Sequence, residues 1–401
     1  MKQSVFDHSL AELEQKFSNM LPELELTVRD PELGVEGYVV VWNTAISKKG
    51  PLSGCGKGGT RITSSLTLDE VKMLARTMAL KNAAAGLPLG GAKSGIRADS
   101  TAPDFESKYR RFVSLVKPNL FEHGGIFGGF GFDIGGRPEH ALWACDQLQS
   151  TRSFTGKPVE LGGTDYDRVG IAGLGVAVAA QAVAQFKGIN CQQQTFAVQG
   201  LGAMGSAIVR YFSESGAGLR AVSDLRLGGS YILEQSASSE IISLLVEQQF
   251  ELAIPKLRAV GKFIADVNAV LEAEVDIIFP AATQSVITVE NVSKIKAKLI
   301  VEGANNPTSD ELRMELDRRG VLVIPDFIAN PGGIIAAFVE LTSQVSVEEN
   351  IKTRAKVNEA IDYTRKKIAE NVLELLKLVN DNEVSPLHAA RYLALSRMFA
   401  I

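Results

Sequence analysis

The stretch TFAVQGLGAMGSAIVRYFSESGAGLRAVSD, residues 195–224, decides the fold that the sequence predicts. It begins as an apolar strand, passes through a glycine turn into a helical pattern, and ends as a second strand at Asp224. Gly200, Gly202 and Gly205 give the spacing G-x-G-x-x-G directly after the first strand. In this context the spacing predicts a dinucleotide-binding unit, whereas the glycines alone would also fit a turn in another α/β sheet.

The same stretch predicts how a dinucleotide would be held. Its pyrophosphate would lie at the N-terminus of the helix that Ala203 opens, where free N–H groups and the helix dipole favour an anion. Asp224 could accept hydrogen bonds from the adenosine ribose, whereas Arg226 could instead neutralise a 2′-phosphate. The predicted cofactor is therefore NAD or NADP, and Asp224 favours NAD.

Further apolar runs extend this pattern into a doubly wound sheet. VDIIFPA, KLIVEGA and VLVIPD recur at the interval of βα units and predict buried parallel strands, and VGIAGLGVAVAAQAVAQF predicts a buried helix. The fold class is α/β, with a Rossmann-type dinucleotide domain at residues 168–337. Mixed strands and helices at 1–167 predict a separate α/β domain, and residues 338–401 predict long helices that follow the dinucleotide domain.

Composition excludes several classes of protein. The 401 residues suit two domains, and a net charge of -4 without a long basic run argues against a nucleic-acid partner. No apolar run is long and uncharged enough for a membrane span. Three separated cysteines and four scattered histidines predict no metal site and a cytoplasmic location.

A lysine among glycines is the first candidate for chemistry. Lys93 lies in LPLGGAKSGI, residues 87–96, and the helical pattern before it ends at Gly86, which predicts a loop around the lysine. The lysine could hold a phosphate, or a lowered pKa could allow it to take part in catalysis. An ATP-type phosphate loop is disfavoured, because Ala92 is inserted before the lysine and a helix precedes the glycines. A second glycine-rich stretch, residues 124–136, predicts a functional or tightly packed loop.

The chain resembles the glutamate, leucine, phenylalanine and valine dehydrogenases over nearly its whole length. The motifs that carry the resemblance are GKGGTRI, ALKNAAAGLPLGGAKSGI, FDIGG, GKPVELGG, VQGLGAMG, DIIFPAA, KAKLIVEGANNPT and IPDFIANPGG. The resemblance implies a substrate domain completed by the C-terminal helices, a cleft that closes on the substrate, and a homo-oligomer, with a hexamer as the first expectation.

When the family's motifs are matched to this sequence, the resemblance implies a set of residues that would form the substrate site. Lys93 would be the catalytic lysine, Asp133 its partner in proton transfer, and Lys81 the ligand of the substrate's α-carboxylate. Lys57 matches the lysine that holds the side-chain carboxylate in glutamate-using members, which favours an acidic or polar substrate. Ala337 stands where a serine usually joins that lysine, so that glutamate itself is put in doubt.

The resemblance also implies a cofactor set that departs from the family pattern. Ala172 and Ala203 replace a threonine and an asparagine that usually contact the nicotinamide carboxamide, and Asn305 completes the set. Methyl groups at these two positions could weaken or reorient the cofactor ring.

Three functions are therefore weighed. The first is NAD(P)-dependent oxidative deamination of an L-amino acid to a 2-oxo acid and ammonia, with the reverse reductive amination. Its substrate would be glutamate or another amino acid. The second is a non-catalytic paralogue that binds nucleotide or a protein partner, supported by Ala172, Ala203 and Ala337. The third is the same chemistry on a modified or bulky substrate, for which Ala337 makes room.

Overall fold

The computed structural model describes residues 3–49, 52–164, 166–342 and 350–399. The chain forms two compact units. The five-stranded unit comprises Ser9–Tyr166, Ile334–Tyr363 and Tyr392–Ile401, and the seven-stranded unit comprises Met1–His8, Asp167–Gly333 and Thr364–Arg391. The division into a substrate domain and a dinucleotide domain at 1–167, 168–337 and 338–401 stays a prediction.

Helices and strands alternate along most of the chain. The α-helices are α1 Gln3–Ser18, α2 Leu68–Ala84, α3 Phe105–Val116, α4 Pro138–Leu148, α5 Tyr166–Val169, α6 Ile171–Lys187, α7 Ala203–Ser213, α8 Ser239–Val246, α9 Phe250–Val260, α10 Asp310–Arg318, α11 Asp326–Ala329, α12 Gly332–Thr342, α13 Asn350–Asn382 and α14 Pro386–Phe399. The strands are β1 Leu24–Asp30, β2 Val35–Val41, β3 Gly56–Lys57, β4 Thr60–Thr63, β5 Gly90–Arg97, β6 Phe130–Gly131, β7 Phe154–Thr155, β8 Thr195–Gln199, β9 Gly218–Asp224, β10 Gly229–Leu233, β11 Gly261–Ile264, β12 Ile277–Pro280, β13 Leu299–Val301 and β14 Leu322–Ile324.

The seven-stranded sheet has the order β11-β10-β9-β8-β12-β13-β14. Strands β9, β8, β12, β13 and β14 run parallel, which confirms the doubly wound sheet that the apolar runs predict. The antiparallel strands β10 and β11 extend the sheet beyond β9 and were not predicted. Their short, mixed sequences carry no parallel-strand signature, because an edge pair need not be apolar on both faces.

Aromatic rings and small residues fill the core of this unit. Phe196 on β8, Phe212 on α7 and Phe279 on β12 meet edge to face, with ring centroids 5.1–5.9 Å apart. Helix α6 is buried almost throughout, as its apolar sequence predicts. Gly173 on α6 allows α7 to approach closely, since a Cβ there would lie 2.5 Å from the Met204 carbonyl oxygen.

The five-stranded sheet has β5 at its centre, and Lys93 lies on that strand. The prediction of a loop at Lys93 is therefore wrong: β5 pairs with β2 in antiparallel register, and Lys93 is opposite Val40. The glycines serve close packing, because a Cβ at Gly91 would lie 2.1 Å from the backbone nitrogen of Ala79 on α2.

The helix α2 and the stretch 124–136 agree in part with what the sequence predicts for them. Thr67 caps α2 by accepting a hydrogen bond from the Glu70 N–H at 3.2 Å, as the sequence predicts. The stretch 124–136 is loop apart from short β6, which pairs with β7. Among the helices that the structure describes, none is long and apolar enough to cross a membrane.

Candidate active site

Lys93 and Asp133 form an ion pair in the five-stranded unit. The Lys93 Nζ lies 2.6 Å from the Asp133 Oδ2, and the lysine side chain is only 7% exposed. Lys93 projects from the central strand β5, and Asp133 follows β6 by two residues. A rigid strand and a packed glycine loop therefore bring together two residues that are 40 positions apart in the sequence.

Arg61 is a second cation on the same carboxylate. Its Nε donates to the Asp133 Oδ2 at 3.1 Å, and its Nη1 donates to the Glu70 Oε1 at 2.8 Å. Arg61 belongs to the GKGGTRI motif, but the sequence reasoning assigned it no role. The motif was the signal in the sequence that could have indicated Arg61, but its partner Asp133 could be identified only from the fold.

Burial and charge set the protonation of the pair. Burial lowers the pKa of Lys93 below its ordinary value, and the ion pair with Asp133 opposes that shift. Burial by itself would raise the pKa of Asp133, but Lys93 and Arg61 hold it below its usual range. Lys93 consequently loses its proton at a lower pH than an exposed lysine does, as a general base requires.

Lys57 lies beneath the glycine-rich loop and is 1% exposed. Its Nζ donates to the carbonyl oxygens of Gly58 at 3.0 Å, Gly129 at 2.9 Å and Phe130 at 2.7 Å. Burial lowers the pKa of Lys57 to about 7. Backbone carbonyl oxygens thus accept the hydrogen bonds that the Lys57 Nζ donates.

The glycine turn of the seven-stranded unit has the geometry of an anion cradle. Gly200 has a φ of +84°, and a Cβ at Gly205 would lie 1.8 Å from the Gly200 carbonyl oxygen, so that both positions require glycine. Gly202 caps α7 without a side-chain hydrogen bond, and a Cβ on it would meet no atom within 4 Å. The open turn and the helix N-terminus fit a pyrophosphate.

Asp224 and Arg226 form a pair at the end of β9. The Arg226 Nε donates to the Asp224 Oδ1 at 2.8 Å, and the Leu201 N–H donates to the Oδ2 at 2.7 Å. Burial opposes ionisation, but these hydrogen bonds hold the pKa of Asp224 below its usual value. The guanidinium lies 4.3 Å from the centroid of the Phe250 ring, with 46% of the side chain exposed.

A buried lysine–carboxylate pair and an open glycine turn are thus present on one chain, and the comparisons with known proteins identify its family. Residues 162–400 match the model of the Glutamate/Leucine/Phenylalanine/Valine dehydrogenases. Residues 22–146 match the model of the Glu/Leu/Phe/Val dehydrogenase dimerisation domain. The chain belongs to this dehydrogenase family. It is an amino-acid dehydrogenase.

Named relatives of this dehydrogenase support the assignment. It is 36% identical over 344 residues to a glutamate dehydrogenase of Thermotoga maritima, covering 83% of this chain and 80% of that protein. It is 36% identical to an NADP(+)-dependent glutamate dehydrogenase of Pyrobaculum calidifontis, covering 76% of this chain and 72% of that protein. A hetero-hexameric glutamate dehydrogenase of Thermus thermophilus shares the fold, with a TM-score of 0.74, 24% identity, and 99% of this chain and 96% of that chain covered.

The remaining predicted substrate residues of the dehydrogenase lie on two helices. Lys81 is half-buried in the last turn of α2, the helix that packs against β5. Ala337 is 3% exposed in α12. The roles of Lys57, Lys81 and Ala337 in substrate binding stay predictions.

The remaining predicted cofactor residues of the dehydrogenase lie in the seven-stranded unit. Ala172 is half-buried in the first turn of α6, and Ala203 is exposed at the start of α7. The exposed Asn305 accepts a hydrogen bond from the Asn330 Nδ2 at 3.1 Å. Their contacts with a cofactor stay predictions.

Two buried ion pairs of the dehydrogenase escaped the sequence reasoning. Lys157 pairs with Glu340, whose side chain is 1% exposed, and the Arg313 Nη2 lies 2.6 Å from the Glu302 Oε2. Lys157 and Glu302 each belong to a quoted motif, GKPVELGG and KAKLIVEGANNPT. The sequence therefore shows that Lys157 and Glu302 are motif positions, but their ion-pair partners, Glu340 and Arg313, can be identified only from the fold.

Proposed function

We propose that the protein catalyses NAD(P)-dependent oxidative deamination of an L-amino acid to a 2-oxo acid and ammonia, and the reverse reductive amination. The buried Lys93–Asp133 pair, at 2.6 Å, is the observation that carries this proposal. Lys93, whose pKa is lowered, can accept a proton, and the ionised carboxylate of Asp133 beside it can carry one.

Each residue of the pair has a separate task in this proposal. A bound nicotinamide would supply the acceptor for the hydride that leaves the amino acid's Cα. Neutral Lys93 takes a proton from the water that adds to the resulting imine carbon, and its ammonium form then stabilises the carbinolamine oxygen. Asp133 then moves the proton of the carbinolamine hydroxyl to the amine, which leaves as ammonia while the carbinolamine oxygen becomes the carbonyl oxygen of the 2-oxo acid. Arg61 keeps Asp133 oriented and ionised between turnovers.

The open turn at Gly200–Gly205 would hold the pyrophosphate of the cofactor. A Cβ at Gly200 would lie 2.7 Å from the Ala282 Cα, and a Cβ at Gly205 would lie 1.8 Å from the Gly200 carbonyl oxygen, so that only glycine preserves the turn. Helix α7 presents its N-terminus to it without a side-chain cap. The chain's residues therefore fit a dinucleotide.

A panel assay tests the proposed function. The purified protein is incubated with NAD⁺, and separately with NADP⁺, against the twenty amino acids, and the reduced cofactor is followed by its absorbance. Turnover of one amino acid supports the proposal and identifies the substrate. Cofactor binding without turnover of any amino acid would instead support the non-catalytic paralogue.

The rate of oxidation should rise with pH. Because neutral Lys93 is the active form, kcat at saturating amino acid increases as the lysine deprotonates. Burial lowers the pKa of Lys93, so the inflection lies below 10.5, the ordinary lysine value. Arg61→Gln removes a nearby like charge and should move the inflection to higher pH. A profile of kcat against pH checks both statements, and a kcat that falls as pH rises would contradict the role of Lys93.

We also propose that NADP is the preferred cofactor. Arg226 and the Leu201 N–H already engage the two oxygens of Asp224, whereas the guanidinium is half-exposed on Phe250. A cation rather than a free carboxylate therefore faces the surface, which suits a 2′-phosphate. Two relatives are described as NADP-dependent or NADP-specific glutamate dehydrogenases.

Replacing Arg226 by alanine should alter the use of the two cofactors unequally. Loss of one charge-assisted contact to the phosphate should lower kcat/KM for NADP⁺ by about 10²-fold, with little change for NAD⁺. Steady-state kinetics with each cofactor measure the effect. Arg210→Ala, which removes a half-exposed arginine of α7, is the matched control. An equal loss with both cofactors would argue that Arg226 supports the loop rather than a phosphate.

The assembly proposed for the protein is a homo-oligomer, with a hexamer as the first expectation. The match of residues 22–146 to a dimerisation domain supports self-association. The Thermus thermophilus relative is described as hetero-hexameric, which makes six subunits the natural starting point.

A further inference from the structure

Arg313 on α10 holds three carboxylates of the seven-stranded unit together. Its side chain is 5% exposed. The guanidinium donates from Nε and Nη2 to the two oxygens of Glu302, at 3.1 and 2.6 Å, and from Nη1 to the Asp310 Oδ1 at 2.9 Å. Its Nη2 also lies 3.5 Å from the Asp326 Oδ1. One buried arginine therefore joins the residue that follows β13 to the first residues of α10 and α11.

The carboxylates of Glu302 and Asp326 fix the segment 302–306, whose sequence is EGANN. Glu302 is its first residue, and the Glu302 Oε2 accepts a hydrogen bond from the Asp326 N–H at 3.0 Å. Asn306 is its last residue, and the Asn306 N–H donates to the Asp326 Oδ2 at 2.9 Å. Both ends of the segment are thus connected to one guanidinium, the first directly and the last through Asp326.

Asn305, a predicted cofactor residue, lies between these two anchors. The Asn330 Nδ2 donates to the Asn305 Oδ1 at 3.1 Å and to the Gly303 carbonyl oxygen at 3.0 Å. A Cβ at Gly303 would lie 3.2 Å from both the Ala281 Cβ and the Ile208 Cδ1, so the segment packs closely against α7 and the residue after β12. A segment that is held at both ends and packed along its length fixes where Asn305 lies.

The order of the strands places this segment toward the nicotinamide end of a dinucleotide. In an open parallel sheet, a dinucleotide lies across the carboxyl ends of the strands, at the point where the strand order reverses. Asp224 ends β9 on one side of β8, whereas the segment follows β13, which lies beyond β12 on the other side. With the adenosine half at Asp224 and Arg226, as proposed above, the nicotinamide half extends toward residues 302–306.

We propose that Arg313 is a positioning residue of the cofactor site, which holds segment 302–306 so that Asn305 meets the nicotinamide half of the cofactor. This inference rests on the proposed function, because that function supplies the nicotinamide cofactor. Arginine suits the task, since its planar fork engages more than one carboxylate at a time and stays charged at every working pH.

Binding of whole and truncated cofactors to Arg313→Lys tests the proposal. Lysine keeps a cation beside the buried Glu302, but one ammonium cannot reproduce a fork that spans Glu302, Asp310 and Asp326. The Kd of NADPH or NADH, whichever the wild type binds, should rise by about tenfold, which is the effect of one lost hydrogen bond. The Kd of the matching adenosine fragment, 2′,5′-ADP or ADP, should change by less than about twofold, because the fragment lacks the nicotinamide half.

Isothermal titration calorimetry measures these Kd values directly, without turnover. The titrations are run at about pH 9, because burial raises the pKa of Glu302 to about 7 and the carboxylate must be ionised to engage Arg313. Arg318→Lys, at an exposed arginine of the same helix, is the matched control and should bind cofactor and fragment as the wild type does.

Two outcomes would overturn the proposal. An equal rise in Kd for cofactor and fragment would mean that Arg313 supports the whole unit rather than the segment. An unchanged Kd for the whole cofactor would mean that the segment keeps its place without the fork. Asn305→Ala removes the positioned side chain itself and should show the same selective loss, and a normal Kd for it would equally reject the proposal.

A second variant guards against an Arg313 substitution that does not fold. Glu302→Gln releases one end of the segment, while Arg313 keeps Asp310 and Asp326 as counter-charges. The same selective loss of cofactor affinity, smaller than for Arg313→Lys, is expected. Equal affinity of Glu302→Gln and the wild type for the whole cofactor would contradict the anchoring role of this end.

Hydrogen–deuterium exchange gives a readout that needs no ligand. The Asn306 N–H is bound to the Asp326 carboxylate, which Arg313 holds. Arg313→Lys should accelerate exchange at the Asn306 amide, and Arg318→Lys should not. Unaltered protection of this amide would reject the anchoring of the segment. If the wild-type protein bound neither cofactor, the proposed function would fail, and the exchange would still decide whether Arg313 holds residues 302–306.

Discussion

Replacing Lys93 by methionine is expected to abolish turnover while leaving the fold in place. The lysine serves as the general base and stabilises the developing oxyanion, so kcat should fall by at least about 10⁴-fold. Methionine fills a similar volume on the buried strand β5. Asp133 keeps Arg61 as a partner at 3.1 Å, so the substitution leaves no carboxylate without a counter-charge. The measurement is kcat for the amino acid identified in the panel.

A companion substitution separates positive charge from proton transfer. Lys93→Arg retains a cation, but arginine stays protonated at every working pH and cannot act as a base. It should be as inactive as Lys93→Met, whereas Lys108→Met, at a half-buried surface lysine of α3, should behave as wild type. Both Lys93 variants should bind NADPH normally, since the glycine turn lies in the other compact unit. Retention of more than about a tenth of wild-type kcat would remove the central claim of the mechanism.

The position of Lys93 also shows where reasoning from local pattern fails. Gly90, Gly91 and Gly95 resemble a loop in composition, yet they lie on the central strand of a sheet. Gly91 is required there because Ala79 of α2 lies against the strand. A glycine in a loop and a glycine beneath a packed helix look alike in one sequence, because the difference lies in a neighbour that is distant in the chain.

The parts that could be predicted are those whose signal is local and repeated. The strand, turn, helix and strand of residues 195–224 carry their own periodicity and glycine geometry, and the structure confirms each element. The antiparallel strands β10 and β11 could not be predicted in the same way, because their pairing depends on the edge that β9 offers.

The electrostatic framework of the candidate site depends on residues that are far apart in the sequence. Arg61 and Asp133 are separated by 72 positions, and Lys157 and Glu340 by 183. Periodicity carries no information about such pairs, since each member is one charged residue among many. Lys157 lies in the GKPVELGG motif, but only the fold shows that its counter-charge comes from Glu340 on α12.

Replacing Glu340 by glutamine should be the most destabilising of the substitutions considered. The carboxylate is 1% exposed and accepts from the Gly156 N–H at 3.1 Å and from Lys157. It also attracts the buried Lys356 and Lys57. Removing it leaves the buried Lys157 ammonium without its counter-charge, which should cost about 3–5 kcal/mol of the free energy of unfolding. The shift of the urea midpoint at fixed protein concentration measures this loss.

The size of the destabilisation depends on whether the removed carboxylate is buried or exposed, and not on the loss of one negative charge as such. Glu359→Gln removes a carboxylate from an exposed position on α13 and should change the free energy of unfolding by less than about 0.5 kcal/mol. Combining Lys157→Met with Glu340→Gln removes the ammonium group that most directly loses its partner, so the double variant should regain part of the stability that Glu340→Gln loses. If the two substitutions were simply additive, Lys157 and Glu340 would not be energetically coupled, and the destabilisation would arise from the loss of the attraction between Glu340 and the other buried lysines, Lys57 and Lys356.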